Sequence, residues 1–171
     1  MKRLWRWKGL WIAGSAAMLF AAFYAIKPIA PPSLRFTTLS GKSFSLVDFR
    51  GHPLLLAFWA TTCPTCVEEM PLLLRAWELY HRQGFELLAV AMPYDRPDAV
   101  LAFSEKRGLP FPVVLDIEGK AVRAFGDVSV TPTYFFIDGK GRMVKQVIGP
   151  LEEKELFSWI EKEGLPWPQK S

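Results

Sequence analysis

The chain has 171 residues, half of them apolar and 14% aromatic, a composition that excludes intrinsic disorder and suffices for one domain with a buried core. Its formal charge of +4, from 21 Lys and Arg against 17 Asp and Glu, sits at one end: residues 1–27 carry Lys2, Arg3, Arg6, Lys8 and Lys27 with no acid, and the rest holds 16 basic and 17 acidic residues, a net −1. That remainder has no basic surplus for neutralising phosphates, which argues against a nucleic-acid partner, and two cysteines exclude both a disulfide framework and an all-cysteine zinc site.

Residues 9–26 are uncharged and mostly apolar. As a helix they span roughly 27 Å, enough for the hydrocarbon core of a bilayer. Four cations precede the stretch and only Lys27 closely follows it, an asymmetry that keeps the start cytoplasmic and sends the rest outward. Trp5, Trp7, Trp11 and Tyr24 agree with aromatic belts at the two interfaces. A cleaved signal peptide shares the cationic start, but Phe23-Tyr24-Ala25 and Pro28-Ile29-Ala30 are poor cleavage sites. Residues 1–27 are therefore expected to be an uncleaved anchor. Residues 28–34, rich in proline, read as a stiff tether, 35–164 as the folded domain and 165–171 as a tail.

Within the domain, strands are expected at 35–39 and 43–46 around the turn-like Ser40-Gly41-Lys42. The apolar run 54–59 is too short for a helix and predicts a strand buried on both faces. From Cys63 the periodicity is helical, with Met70, Leu73, Leu74, Trp77 and Tyr80 on the apolar side and Gln83-Gly84 as the stop; Pro71 predicts a kink. Residues 85–92 form a second strand and complete a βαβ unit. Residues 97–107 form a helix with Asp95 as its cap and Gly108 past its end, 111–115 a short strand, and 120–125 a short helix. Strands at 133–137 and 143–148 enclose the hairpin signal Asp138-Gly139-Lys140-Gly141, and a last helix over 151–163 carries Leu151, Leu156, Trp159 and Ile160 on one side. This order predicts an α/β fold with a central mixed sheet flanked by helices, an N-terminal β-hairpin and an inserted αβα segment.

Cys63-Pro64-Thr65-Cys66 stands where the buried strand gives way to a helix. A sulfur at a helix N-terminus meets unpaired N–H groups and the positive end of the dipole, which favour the thiolate, so Cys63 is the expected nucleophile. Pro64 falls at the first helical position, where no N–H is missed. Cys66, one turn on, is the expected resolving thiol. A structural disulfide would close too small a loop to remove much chain entropy, a zinc site would have to recruit the distant His52 and His81, and haem attachment would need His where Val67 stands. Glu69, three residues after Cys66, lies on the same helix face, whereas Glu68 is turned away. Glu69 could carry the thiol proton, or both acids could only complement the helix N-terminus. Thr131-Pro132 precedes a strand; a cis bond there would turn the Thr131 backbone outward, ready to pair with an extended substrate segment.

The segments Phe58-Trp59-Ala60-Thr61-Thr62-Cys63-Pro64-Thr65-Cys66, Glu69-Met70-Pro71, Phe111-Pro112-Val113-Val114-Leu115-Asp116 and Thr131-Pro132-Thr133, with Ile137-Asp138 and Gly141, resemble the thioredoxin superfamily. The resemblance is closest to its membrane-anchored TlpA-like branch, with the ResA and DsbE proteins of cytochrome c biogenesis. It implies a thioredoxin-like fold, a cis bond before Pro132 and a functional acid at Glu69, with Trp59, Pro64, Thr65, Thr131 and Pro132 supporting the site or the substrate. No metal or cofactor is implied beyond the redox-active Cys63–Cys66 disulfide. It also implies reduction of disulfides in exported proteins, such as apocytochrome c or copper-site proteins, by a single-pass protein of the bacterial inner membrane. Its domain would face the periplasm or extracytoplasmic space and take electrons from a membrane thiol donor. Two positions depart from the pattern: Thr62 replaces a Trp usual before the first cysteine, and Ala57 replaces the buried Asp of cytosolic thioredoxins. The alternatives are a peroxiredoxin-like peroxidase and a Cu(I) or haem chaperone using the two sulfurs as soft ligands.

Overall fold

The computed structural model describes residues 34–168. The expected anchor at 1–27, nearly all of the tether and the last three residues lie outside that span. Among the described residues no helix is long and apolar enough to cross a membrane.

The first strands, β1 (Arg35–Thr37) and β2 (Ser43–Ser45), pair antiparallel and lead into a single 3-10 turn, Leu46–Phe49. Then follow β3 (Leu54–Trp59), α1 (Pro64–Tyr80), β4 (Glu86–Ala91), α2 (Pro97–Arg107), β5 (Val113–Leu115), α3 (Lys120–Ala124), β6 (Thr133–Ile137), β7 (Met143–Ile148) and α4 (Glu153–Lys162). The main sheet has the order β5-β4-β3-β6-β7. Strand β3 is parallel to β4 and antiparallel to β6, so the sheet is mixed, as expected. The segment α2-β5-α3 is the predicted insertion.

Strand β3 is central, and all six of its residues are buried. Because side chains alternate across a strand, its residues divide between two cores. Leu55, Ala57 and Trp59 face Met70, Leu73, Ala76, Trp77 and Tyr80 of α1 and Leu156, Phe157 and Ile160 of α4. Leu54, Leu56 and Phe58 face Phe36, Leu46, Ala121, Phe125 and Val128. The hairpin also lies along the outer edge of β5: Leu39 N–H donates to the Val113 carbonyl at 2.9 Å, and Thr38 bridges Val114. Covering this edge blocks pairing with a foreign strand.

One local expectation changes. Asp95 does not cap α2; Arg96 holds that position without a side-chain bond, and the Asp95 carboxylate is committed elsewhere. Helix α1 contains Pro71 and passes into a 3-10 turn, His81–Gln83, and the expected stop is at Gly84, left-handed at φ +107°. In the tail, Leu165 packs on the first core, and the Trp167 ring lies 5.5 Å from Phe157 and 6.1 Å from Tyr80, edge to face.

Candidate active site

Strand β3 ends at Trp59, still within the core, and Cys63, just beyond it, becomes the N-cap of α1. Its backbone is extended, and Cys63 Sγ accepts a hydrogen bond from Cys66 N–H at 3.2 Å. The sulfur thus occupies the place of a capping oxygen and satisfies one of the helix's free donors. Pro64 sits in the first turn, where its missing N–H costs nothing. Cys63 and Cys66 form a disulfide with Cα atoms 5.3 Å apart. Cys63 is half-buried, whereas Cys66 is 2% exposed and belongs to the core against β3.

Two carboxylates hold this region. Asp95, buried after β4, accepts from Thr61 N–H and from the Thr61 hydroxyl, both at 2.6 Å, and from Arg96 N–H at 3.1 Å. It thereby ties the loop just before Cys63 to the β4–α2 loop. Glu69, half-buried on α1, accepts from the Tyr134 hydroxyl through Oε2 and from Leu151 N–H through Oε1, both at 2.5 Å. Glu68 is exposed, so of the two acids only Glu69 turns inward. Burial, and then the hydrogen bond to Glu69, raise the Tyr134 hydroxyl far above its ordinary value, so it remains a donor.

The Thr131–Pro132 bond is cis. Pro132 is buried and Thr131 half-buried, and among the described residues the Thr131 backbone N–H and C=O have no protein partner. Exposed Val130 and Tyr94 stand beside it, with the Tyr94 hydroxyl 3.4 Å from Thr131 Oγ1. Thr65 is half-buried and Thr62 exposed. Trp59 lies in the core with its ring 5.2 Å from that of Phe103, so it braces the end of β3 from within. Ala57 sits in the same core as Cys66, directly across from Tyr134 in the β3–β6 register.

Local patterning assigns Thr61, Asp95 and Tyr134 no role at the redox site. For Tyr134 a signal exists: a tyrosine in a strand buried on both faces must find a partner for its hydroxyl. For Asp95 the partner lies 34 residues away and only the fold brings it near.

A strand-to-helix dithiol on this sheet, with a cis proline leading the facing strand, defines a thioredoxin-like thiol-disulfide oxidoreductase. Residues 27–160 match the family model described as Redoxin, and the chain belongs to that family. The thiol-disulfide oxidoreductase ResA of Geobacillus thermodenitrificans is 31% identical over 157 residues, covering 89% of either chain. That of Bacillus thuringiensis is 36% identical over 132 residues, covering 77% of this chain and 75% of its own. Among solved structures, a thiol:disulfide interchange protein of the thioredoxin family from Chlorobium tepidum matches with a TM-score of 0.73 at 25% identity, over 80% of this chain and 97% of that one. The chain is a protein-disulfide oxidoreductase whose redox pair is Cys63–Cys66.

Proposed function

We propose that this protein reduces disulfides of exported proteins outside the cytoplasm, held at the membrane by residues 1–27 and recharged by a membrane thiol donor. Apocytochrome c and copper-site proteins are substrates of the expected kind. The observation that carries the reading is the asymmetry of the pair: one sulfur half-exposed at the N-cap of α1, the other buried behind it.

In the reduced protein, Cys63 thiolate attacks one sulfur of the substrate disulfide and displaces the other as a thiolate. The first bond made is a mixed disulfide to Cys63. Cys66 then passes its proton to the Glu69 carboxylate and attacks Cys63 Sγ; the second substrate thiolate leaves and takes that proton from Glu69, and the one displaced first takes a proton from solvent. Two electrons move from the dithiol to the substrate, which ends as two thiols, and the Cys63–Cys66 disulfide is restored. The N–H of Cys66, already directed at Cys63 Sγ, favours the thiolate at Cys63. The unpaired Thr131 backbone would receive the extended substrate as an added strand, with Tyr94 and Val130 beside it.

The test is turnover of a protein disulfide by the reduced protein. Cys63→Ser abolishes it, and Cys66→Ser accumulates a mixed disulfide visible on a non-reducing gel. Full turnover by Cys66→Ser would show the roles to be wrong. Peroxide consumed faster than a protein disulfide would favour the peroxidase alternative instead.

A further inference from the structure

We infer that Tyr134 is a positioning residue for proton transfer at Cys66, acting through the Glu69 carboxylate. The inference rests on the reading of Glu69 as the proton carrier. Three observations converge on it. The Tyr134 side chain is 1% exposed, and its hydroxyl bonds to Glu69 Oε2. The other oxygen of the same carboxylate is held by Leu151 N–H, from the loop leading into α4. Ala57, directly opposite Tyr134 on β3, offers only a methyl group, so in this cross-strand pair the side-chain polar group is the tyrosine hydroxyl on β6.

The geometry makes Glu69 a fixed base. Its two anchors come from β6 and from the loop before α4, elements other than its own helix. A carboxylate oxygen accepts from more than one direction, and each Glu69 oxygen keeps a lone pair beyond its anchor. Side chains on a helix lean toward its N-terminus, which inclines Glu69 back toward Cys66, one turn earlier on the same face. A hydroxyl that donates to a carboxylate interacts more strongly with the ionised form than with the protonated one. The charged groups nearby are otherwise engaged: Glu153, at the start of α4, pairs with Arg75 of α1, and Glu155 pairs with Lys145 of β7. Glu152 is exposed, as is Glu68 on α1 itself. Among the described residues the Tyr134 hydroxyl is the titratable group bonded to Glu69.

A buried tyrosine–carboxylate bond could equally serve only to hold α1 on the sheet, so the test must read proton transfer rather than stability. In the full chain, the rate at which Cys66 resolves a preformed mixed disulfide at Cys63 is followed against pH for the parent, Tyr134→Phe, Glu69→Gln, and a protein carrying 3-fluorotyrosine at position 134. Removal of the donor moves the acid limb to higher pH by on the order of one unit, a tenfold slower rate at a fixed pH on that limb. Fluorination makes the hydroxyl the stronger donor and moves the limb to lower pH. Neither change moves it further in a Glu69→Gln background. Profiles of Tyr134→Phe and the fluorinated protein that overlay the parent, while Glu69→Gln shifts, would overturn the inference and leave the proposed function standing. A Glu69→Gln profile that overlays the parent would remove Glu69 from the mechanism and this inference with it. Should Tyr134→Phe fail to fold, the fluorinated protein, which keeps ring and hydroxyl, decides alone.

Discussion

Asp95 bears on the reacting sulfur without touching it. Its carboxylate holds the Thr61 N–H and hydroxyl, and Thr61 is two residues before Cys63. A buried group that loses its partner costs about 1–3 kcal/mol. Asp95→Ala is therefore expected to lower stability by about 2 kcal/mol in urea unfolding, and to slow disulfide reduction because the loop no longer aims Cys63. Turnover equal to the parent's would show that β3 and α1 place the thiol without this tie. Asp138 shows the same economy at the opposite end of β6. Burial pushes its carboxyl up, but the Arg142 guanidinium, Arg142 N–H and Lys140 N–H together bring it below its ordinary value. A carboxyl lowered in the folded state contributes stability that is present above the ordinary carboxylate range and is lost as pH falls through the lowered value. Melting temperature should accordingly fall less steeply below about pH 4 in Asp138→Asn than in the parent. Parallel curves would show that the turn does not depend on that charge.

The elements show where patterning carries information and where it runs out. Strands β6 and β7 and helix α2 have the bounds that alternation, turn residues and terminal Pro and Gly predict, because those signals are local. The Cys63-Pro64-Thr65-Cys66 segment was legible for the same reason: capping, proline placement and a neighbouring buried strand act within a few residues. Glu69 was half legible, since helical spacing turns it toward Cys66 but says nothing of Tyr134, 65 residues further on. The acid at 95 shows the failure in reverse. An Asp just before a helix is an ordinary cap by local rules, yet a donor brought in by the fold outbid the α2 N-terminus for its oxygens. Helix α4 makes a graded prediction of its own. Leu156 is fully buried against the sheet, whereas Trp167, which packs on Phe157 beyond the helix end, is 47% exposed. Leu156→Ala should cost about 2–5 kcal/mol by leaving a cavity, and Trp167→Ala far less, as the ring keeps one face in water. Equal losses in denaturant would mean that the tail is an integral layer of the core.

At the scale of the whole chain, charge and redox chemistry bear on each other. The five cations of residues 1–27 adjoin a domain whose sequence has almost no net charge, and under the proposed function that asymmetry would set where the protein sits more than what it grips. In an oxidising compartment a reducing dithiol is spent at each turnover, and an electron source must lie within its reach. In the proposed arrangement a short proline-rich tether would limit that reach by keeping the domain close to the bilayer. The proposed arrangement thus predicts two measurements together. In spheroplasts, a membrane-impermeant thiol reagent applied after mild reduction should label Cys63, and the label should be lost in Cys63→Ser. The same protein should stay with the membrane after alkaline washing, and its N-terminal sequence should still begin before residue 26. Labelling only after lysis would place the dithiol in the cytoplasm and remove the need for a donor across the membrane. Labelling with an N-terminus beyond residue 26 would keep the compartment but release the domain, and recharging would then have to proceed by diffusion to the donor.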